Sequence, residues 1–264
     1  MKNMIKMMII PFFFLALVGT ATAADNSWQQ VQTKGEFRIG LDDDFPPMAF
    51  RKADGKLYGF DIDFAEAVGK KLGLKIVWVP TAWKGVIPSL YADKFDAIWN
   101  GMTITPEREK KVSFSKPYMM DGQVAAVTMS NNAIKAPADL GGKIVGIQQG
   151  STAMVAIEAL PNKPAELKQY ETNPKAMLDL ESGRLDCVVI DNLTARDIIS
   201  KKPGAYKILP QFITKAPFGV AFRKGDDSLR QKIQQAITEL IEDGTTAKIS
   251  RKWFAEDLTN PATW

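Results

Sequence analysis

The sequence of 264 residues contains no histidine and one cysteine, Cys187. Without an imidazole base, Ser-His-Asp and Cys-His catalysis are excluded. Zinc sites built on histidine or on several cysteines are excluded as well, and a single cysteine cannot form a disulfide within the chain. We expect Cys187 to be a buried core thiol on a strand. Any chemistry must therefore use carboxylates, lysine, arginine, tyrosine, hydroxyls or backbone groups.

The missing histidine also bears on pH dependence, because no other side chain has an ordinary pKa between about 5 and 8. If the protein binds a ligand, the affinity should be nearly flat over that range unless an acid in the site is strongly shifted. The net charge is small too, because 34 Lys and Arg residues are nearly balanced by 30 Asp and Glu residues. No basic run with interleaved aromatics occurs, so nucleic-acid binding gains no support.

Long apolar runs are limited to residues 7–18, which are too few to span a bilayer comfortably. Lys2 and Lys6 precede this stretch, and an A-x-A cleavage pattern follows at 21–23. We predict that residues 1–23 are a secretory signal peptide and that the mature protein lies in the periplasm. A retained membrane anchor is the alternative. Cleavage would lower the net charge from +4 to about +2.

Short β-like runs alternate with helical patterns, which predicts an α/β protein with mainly parallel sheets. The predicted strands are 36–41, 75–79, 97–99, 143–148, 187–190 and 218–222, and the predicted helices are 61–72, 151–160 and 228–243. Gly244 follows the last helix and suits a left-handed cap. Residues 89–98 also resemble 179–188, and two lobes sharing one helix-turn-strand unit would explain this; chance similarity is the alternative.

The GFDIDF segment at 59–64 resembles a motif of the polar amino-acid family of periplasmic solute-binding proteins, the receptors of ABC importers. More segments resemble this family in the same order: DDDFPPMAF at 42–50, NGMTITPER at 100–108, DLGGKIVG at 139–146 with QGST at 149–152, and the end of the chain at 243–254. The similarity covers nearly all of the sequence after residue 23.

This resemblance implies the type II periplasmic binding protein fold, an α/β fold of two lobes joined by two hinge strands. The ligand then sits in the interlobe cleft, and the lobes close over it. We place lobe 1 at 24–118 plus 216–264 and lobe 2 at 119–215. The implied function is a monomeric receptor that binds a free L-amino acid and delivers it to an inner-membrane ABC permease. No enzymatic activity, metal, cofactor or nucleic acid is expected.

The resemblance assigns Arg108, Ser151 and Thr152 to the α-carboxylate of the ligand. A guanidinium fork matches a carboxylate bidentately, and free N–H groups at a helix start favour an anion. The alternatives are a surface arginine and an ordinary Ser/Thr helix cap.

Similar proteins place an acid at Asp191 against the α-ammonium, and they use Gly101 and Thr103 for backbone approach and a hydroxyl. The alternative for Asp191 is a helix cap. Phe45, Phe60 and Trp83 are the aromatic candidates for contacting the ligand side chain, and each could instead belong to the core.

Specificity should depend on Asp42, Asn100 and Gln148. Together with aromatic walls, these residues suit a polar uncharged side chain, as in glutamine, or a cationic one, as in arginine or lysine. The chain matches neither the glutamine nor the basic amino-acid subgroup fully. Two other functions stay open: a cyclohexadienyl-type dehydratase on the same fold, and a sensor module acting in trans.

Overall fold

The computed structural model of the protein describes residues 25–264 and shows an α/β fold of two lobes with one large sheet in each and a third, three-stranded sheet formed by residues 44–58. The strands are β1 (Glu36–Leu41), β2 (Asp44–Phe45), β3 (Ala49–Arg51), β4 (Leu57–Tyr58), β5 (Lys75–Pro80), β6 (Ala97–Ile98), β7 (Ser113–Phe114), β8 (Met119–Thr128), β9 (Ile144–Gln148), β10 (Glu166–Tyr170), β11 (Cys187–Asp191), β12 (Tyr206–Ile208), β13 (Thr214–Phe218) and β14 (Ala221–Phe222). The helices are α1 (Ser27–Lys34), α2 (Phe60–Leu72), α3 (Val86–Tyr91), α4 (Pro106–Glu109), α5 (Ala153–Glu158), α6 (Asn173–Glu181), α7 (Asn192–Lys201), α8 (Asp227–Glu242) and α9 (Thr245–Phe254).

The predicted signal peptide lies outside the described residues. Between residues 25 and 264, no helix combines the length and the apolar character that a membrane crossing requires.

The first sheet, which defines lobe 1, has the strand order β5-β1-β6-β14-β7. Strand β1 pairs in parallel with β5 and β6, whereas β14 is antiparallel to β6 and β7. The second sheet, which defines lobe 2, has the order β10-β9-β11-β8-β12, with β13 beside β8. Its β10, β9 and β11 are parallel, and every partner of β8 is antiparallel to it. The prediction of mainly parallel sheets is therefore right only for the strands around β1 and β9.

The prediction of one strand over 218–222 is wrong. Strand β13 ends in the second sheet at Phe218, and β14 begins in the first sheet at Ala221. At Gly219 the chain passes so close to Ile104 that an added Cβ would lie 2.9 Å from its side chain. The break therefore occurs where the chain crosses between the sheets. The exact lobe boundaries stay a prediction.

Strand β8 is the longest of the described strands and was not predicted. Its first two residues are methionines, and Asp121 and Gly122 follow them. Aspartate and glycine are both depleted in strands. The structure requires the glycine, because a Cβ at Gly122 would lie 2.1 Å from the carbonyl oxygen of Thr214 on the adjacent β13. Strands β8 and β13, which adjoin the two points where the chain crosses between the sheets, are thus in close backbone contact.

The resemblance between 89–98 and 179–188 has a structural counterpart. The carboxylate of Asp96 accepts a hydrogen bond from the N–H of Arg38 at 2.9 Å, next to β6. Asp186 accepts from the N–H of Ile144 at 2.8 Å, next to β11. Each acid closes a helix-turn-strand unit onto the neighbouring parallel strand. This shared role supports a repeated unit in both lobes.

The predicted helices 61–72 and 228–243 are confirmed as α2 and α8; α2 begins one residue earlier than predicted, and α8 begins and ends one residue earlier. Gly244 has the predicted left-handed conformation, with φ +78°. The prediction of a helix over 151–160 is too long, since α5 has six residues. Cys187 is fully buried, as predicted, and burial raises the pKa of its thiol well above the ordinary value.

Candidate ligand-binding site

A narrow cavity lies between the lobes, at the ends of strands from both sheets. It is lined by all but one of the residues predicted to contact the ligand: Asp42, Phe45, Trp83, Asn100, Gly101, Thr103 and Arg108 from lobe 1, and Gln148, Ser151, Thr152 and Asp191 from lobe 2. Ligands of open α/β sheets tend to bind at the carboxyl ends of strands, and this cavity has that position.

Phe60 is the exception, because its side chain is fully buried away from the cavity. Its ring packs against Phe64, Tyr118 and Phe254, with centroid separations of 5.7, 6.3 and 5.3 Å. The structure therefore places Phe60 in the aromatic core of lobe 1, which corrects its assignment to the ligand wall. An aromatic residue looks the same in sequence in either role.

Arg108 lies on the short helix α4, whose first turn is capped by the hydroxyl of Thr105. One guanidinium nitrogen donates to the carbonyl oxygen of Thr103 at 2.9 Å. Another donates across the cleft to the carbonyl oxygen of Gly150 at 3.1 Å. The guanidinium also lies 5.7 Å from the centroid of the Trp83 ring. Burial lowers the pKa of Arg108 to about 10, so the group is still cationic at neutral pH.

Asp191 ends strand β11 on the opposite side of the cavity and is 7% exposed. Burial raises the pKa of its carboxyl to about 6, while the nearby charge of Arg108 acts in the opposite direction. Its side chain makes no capping hydrogen bond to α7, so the helix-cap alternative does not describe its contacts. The carboxylate is thus a buried acceptor beside a cation.

Gln123, which the sequence analysis missed, connects Asp191 to Thr152. The amide nitrogen of Gln123 donates to Asp191 Oδ1 at 2.8 Å and to the hydroxyl of Thr152 at 3.0 Å. Ser151 is used locally: its hydroxyl donates to the carbonyl oxygen of Gln148 at 2.9 Å and accepts from the N–H of Ala153. Nothing in the sequence pattern marks Gln123, because it lies in the unpredicted strand β8.

The other end of the cavity carries a network of acid and amide groups. Gln148 donates from Nε2 to Asp42 Oδ2 at 2.6 Å, and so joins lobe 2 to lobe 1. Asn173 donates to Gln148 Oε1 at 3.2 Å, and the N–H of Asp42 donates to Asn100 Oδ1 at 3.0 Å. The amide nitrogen of Asn100 is buried without a partner among the described residues. A free donor and a carboxylate therefore occur side by side.

Burial raises the pKa of Asp42 to about 6, and the charges of Asp44 and Asp43 act in the same direction. The cavity therefore contains two acids, Asp42 and Asp191, whose pKa values are both raised to about 6. The expectation of flat binding between pH 5 and 8 was conditional on unshifted acids. These two carboxyls do not meet that condition.

Gly101 allows close packing at the cavity wall, but its N–H is not free to bind a ligand. Its φ is +55°, and an added Cβ would lie 2.9 Å from the ring of Phe45. Its N–H already donates to Asp61 Oδ2 at 2.7 Å. Asp61 is fully buried and also accepts from the hydroxyl of Tyr118 at 2.9 Å. The aspartate of the GFDIDF motif thus anchors the cavity loop instead of lining the cavity.

The cavity offers a cation on one wall, an acid with a hydroxyl beside it, and a polar network at the far end. The sequence model of the bacterial extracellular solute-binding proteins, family 3, matches residues 37–256. The chain belongs to this family.

Several known proteins resemble the chain over most of their length. The L-cystine-binding protein TcyJ of Escherichia coli K12 is 35% identical over 87% of this chain and 86% of its own. The L-arginine-binding protein of Pseudomonas aeruginosa is 33% identical over 92% and 97%. The crystal structure of the ancestral amino acid-binding protein AncCDT-1, a precursor of cyclohexadienyl dehydratase, is 40% identical over 86% and 98%, with a TM-score of 0.79. The two-lobe fold is therefore shared with this ancestral protein.

Within residues 25–264, no group of three or more Asp, Glu, Cys or His side chains is placed to hold a metal ion.

Proposed function

We propose that this family 3 protein is the periplasmic receptor of an ABC importer, and that it binds a free polar or cationic L-amino acid. The lobes close over the ligand, and the closed form docks on the inner-membrane permease. Function then depends on the different affinities of the open and closed conformations for the ligand, and no bond is broken. The names of its relatives, which include cystine- and arginine-binding proteins, support this class.

The observation that carries the proposal is the opposite placement of Arg108 and Asp191 in one buried cavity. A zwitterion presents a carboxylate and an ammonium on one carbon, and these two side chains supply the complementary charges. They come from different lobes, so a ligand that bridges them would favour closure. Asp191 is buried and Arg108 is partly buried, and removal from solvent strengthens the interaction of such charges with a ligand.

The far end of the cavity supports a polar or cationic ligand side chain over an acidic one. Asp42 would repel a second carboxylate, whereas it would accept hydrogen bonds from an amide, an ammonium or a guanidinium. The unpartnered amide of Asn100 adds one donor there. Phe45 and Trp83 provide faces that suit an aliphatic stem or a cation.

A thermal-shift panel of the twenty amino acids with ornithine, citrulline and L-cystine tests this function. A ligand present at about 100 times its Kd should add about 2.7 kcal/mol to the free energy of unfolding. We expect the largest shift with a cationic or amide side chain and no shift with aspartate or glutamate. The amino-acid assignment fails if every compound leaves the unfolding temperature unchanged.

The similarity to the dehydratase precursor makes an enzymatic alternative worth one assay. A dehydratase needs an acid aimed at a leaving hydroxyl. The cavity acids Asp42 and Asp191 are already hydrogen-bonded to Gln148 and Gln123, which fits recognition better than proton transfer. Turnover of prephenate or arogenate by the purified protein would replace the receptor proposal. Ligand-dependent capture of a membrane kinase instead of a permease would favour a sensor acting in trans.

A further inference from the structure

Gln123 lies in lobe 2, where strand β8 is paired with a strand on each side. It is on strand β8, opposite Asp191 of β11 on one side and opposite Thr214 of β13 on the other. Its side chain is almost fully buried, with 1% of the residue exposed. The residue is therefore held by strand pairing on both sides and has little freedom to move.

The amide of Gln123 makes two hydrogen bonds from the same nitrogen, to Asp191 and to Thr152. The orientation of this amide is fixed chemically. Reversing it would turn its carbonyl oxygen against an oxygen of the Asp191 carboxylate, which has no hydrogen to donate when ionised. In the orientation present, the carbonyl oxygen of Gln123 is buried without a hydrogen-bond partner among residues 25–264. The site keeps this unsatisfied acceptor while both neighbours receive a donor.

These two bonds decide what the neighbours can still do. The hydroxyl oxygen of Thr152 accepts from Gln123, so its own proton is left for another acceptor. Asp191 uses Oδ1 for Gln123, so Oδ2 is left for another donor. One side chain becomes a donor suited to a carboxylate and the other an acceptor suited to an ammonium, which are the two ends of an amino acid.

We propose that Gln123 is a positioning residue: it makes Thr152 a hydrogen-bond donor toward the ligand carboxylate and orients Asp191 toward the ligand ammonium. The ligand named in this inference rests on the proposed function. The predicted effect of Gln123 on the Asp191 carboxyl does not depend on it. Gln123 acts through its two neighbours and needs no contact with the ligand.

The first test reads Asp191 without any ligand. Carbon-13 NMR of the aspartate carboxyl groups, with Asp191 assigned by the Asp191→Asn variant, gives its titration midpoint in wild type and in Gln123→Met. Methionine keeps the size of the side chain but removes the donor. The other charged groups near Asp191 are Arg108 and Asp121, and both are unchanged in the variant. We expect the midpoint to move upward by about one pH unit, since the ionised carboxylate loses a hydrogen bond.

The second test uses L-arginine and L-argininamide, which differ at the carboxylate. We expect Gln123→Met to bind L-arginine about tenfold more weakly, with a smaller loss for the amide, because Thr152 loses its fixed donor role. Gln169→Met is the matched control, since Gln169 lies on the exposed face of β10 in the same lobe and should change neither reading.

The two tests separate the inference from the proposed function. If wild type fails to bind L-arginine, the proposed ligand class is wrong for this compound, yet the Asp191 titration still decides the role of Gln123. An unchanged midpoint in Gln123→Met, with lower stability alone, would overturn the inference. If that variant does not fold, Gln123→Leu is read in the same way, because leucine also lacks a donor and adds no charge, and it too must raise the midpoint.

Discussion

Asp61 Oδ2 accepts a hydrogen bond of 2.7 Å from the N–H of Gly101, and this bond joins the GFDIDF motif to the loop that lines the cavity. The other oxygen of Asp61 accepts from Tyr118, which immediately precedes strand β8. The motif by which the family is recognised thus holds the ligand loop and the start of a crossing strand in one relation. Its acid has a structural role next to the ligand instead of a role in contacting it.

Asp61→Ala should lower the free energy of unfolding by about 3 kcal/mol, because two buried donors lose their only carboxylate. Urea unfolding of the ligand-free protein measures this. Asp63→Ala is the matched control on the same helix, since Asp63 is partly exposed and pairs at the surface with Lys252. Asp63→Ala should lower the free energy of unfolding by about 1 kcal/mol or less. Equal losses for the two variants would show that the anchor carries no special weight.

Asp42→Asn should separate cationic from uncharged ligands. We expect L-arginine to bind about tenfold more weakly or worse, because a guanidinium loses a charged acceptor at the far end of the cavity. L-glutamine should change by about threefold or less, since an asparagine can still accept a hydrogen bond. Titration calorimetry with both ligands measures the difference.

Asp43→Asn is the control for this variant, because Asp43 is adjacent in sequence but pairs with Arg51 outside the cavity. It should leave both affinities unchanged. If Asp42→Asn weakens both ligands equally, Asp42 does not read the charge of the ligand side chain.

Gly150→Ala should weaken all ligands alike without changing their order. Gly150 has φ +78°, and a Cβ there would lie 2.9 Å from the Cα of Lys84 on the other lobe. The added methyl group therefore opposes the approach of the lobes, and we expect a loss of about tenfold. Small-angle scattering should show a ligand-bound variant more extended than wild type.

Gly142→Ala carries the same conformational cost without the contact, since its φ is +71° and an added Cβ would meet no atom within 4 Å. It should destabilise the protein while leaving affinity intact. A matching loss of affinity in both glycine variants would mean that backbone strain, and not closure, explains the effect.

Many of the cavity residues that could be predicted lie at the carboxyl ends of strands or in the loops directly after them, where sequence motifs are local. Asp42 follows β1, and Asp191 ends β11. Parallel strands place such ends at one edge of each sheet, and these two edges face each other across the cavity, so short motifs near strand ends mark residues of both walls. Gln123 could not be found in this way, because its importance depends on which strands pair with β8. That pairing joins residues far apart in sequence.

Two errors have a related cause. An aromatic residue at the start of an amphipathic helix can turn to the core or to a cleft, and only the packing of Phe64 and Tyr118 decides this for Phe60. The apolar run 218–222 has the composition of one strand. Its division at Gly219 follows from the crossing between two sheets, which a local pattern does not contain.

The pH dependence of stability follows from the shifted carboxyls of the cavity. The pKa of Asp42 rises from 3.8 to about 6 on folding, so the folded protein binds this proton more tightly than the unfolded chain does. The contribution of this group to stability is therefore fully present below about pH 4 and is lost as the pH rises from there through about 6. Asp191 and Asp61 act in the same direction, with pKa values raised to about 6 and about 7. The ligand-free protein should unfold at a lower temperature at pH 8 than at pH 5.5.

Ligand binding should have the opposite sign. An ammonium or guanidinium is attracted by ionised Asp191 and Asp42, so affinity for L-arginine should fall as the pH drops through 6. Binding measured between pH 5 and 8 should consequently be sloped and not flat. Asp42→Asn should reduce that slope, because one of the two titrating acids is gone.

The same variant connects the two effects. At pH 8 the buried charge of Asp42 costs on the order of 3 kcal/mol, so Asp42→Asn should raise the unfolding temperature of the ligand-free protein there. At pH 5 the advantage should shrink, because wild-type Asp42 is then mostly protonated as well. Circular dichroism melts of wild type, Asp42→Asn and Asp43→Asn at both pH values measure this. A variant that is more stable but binds L-arginine more weakly would mean that the cavity keeps a destabilising carboxylate for recognition. Lower stability of Asp42→Asn at pH 8 would contradict this account of the cavity.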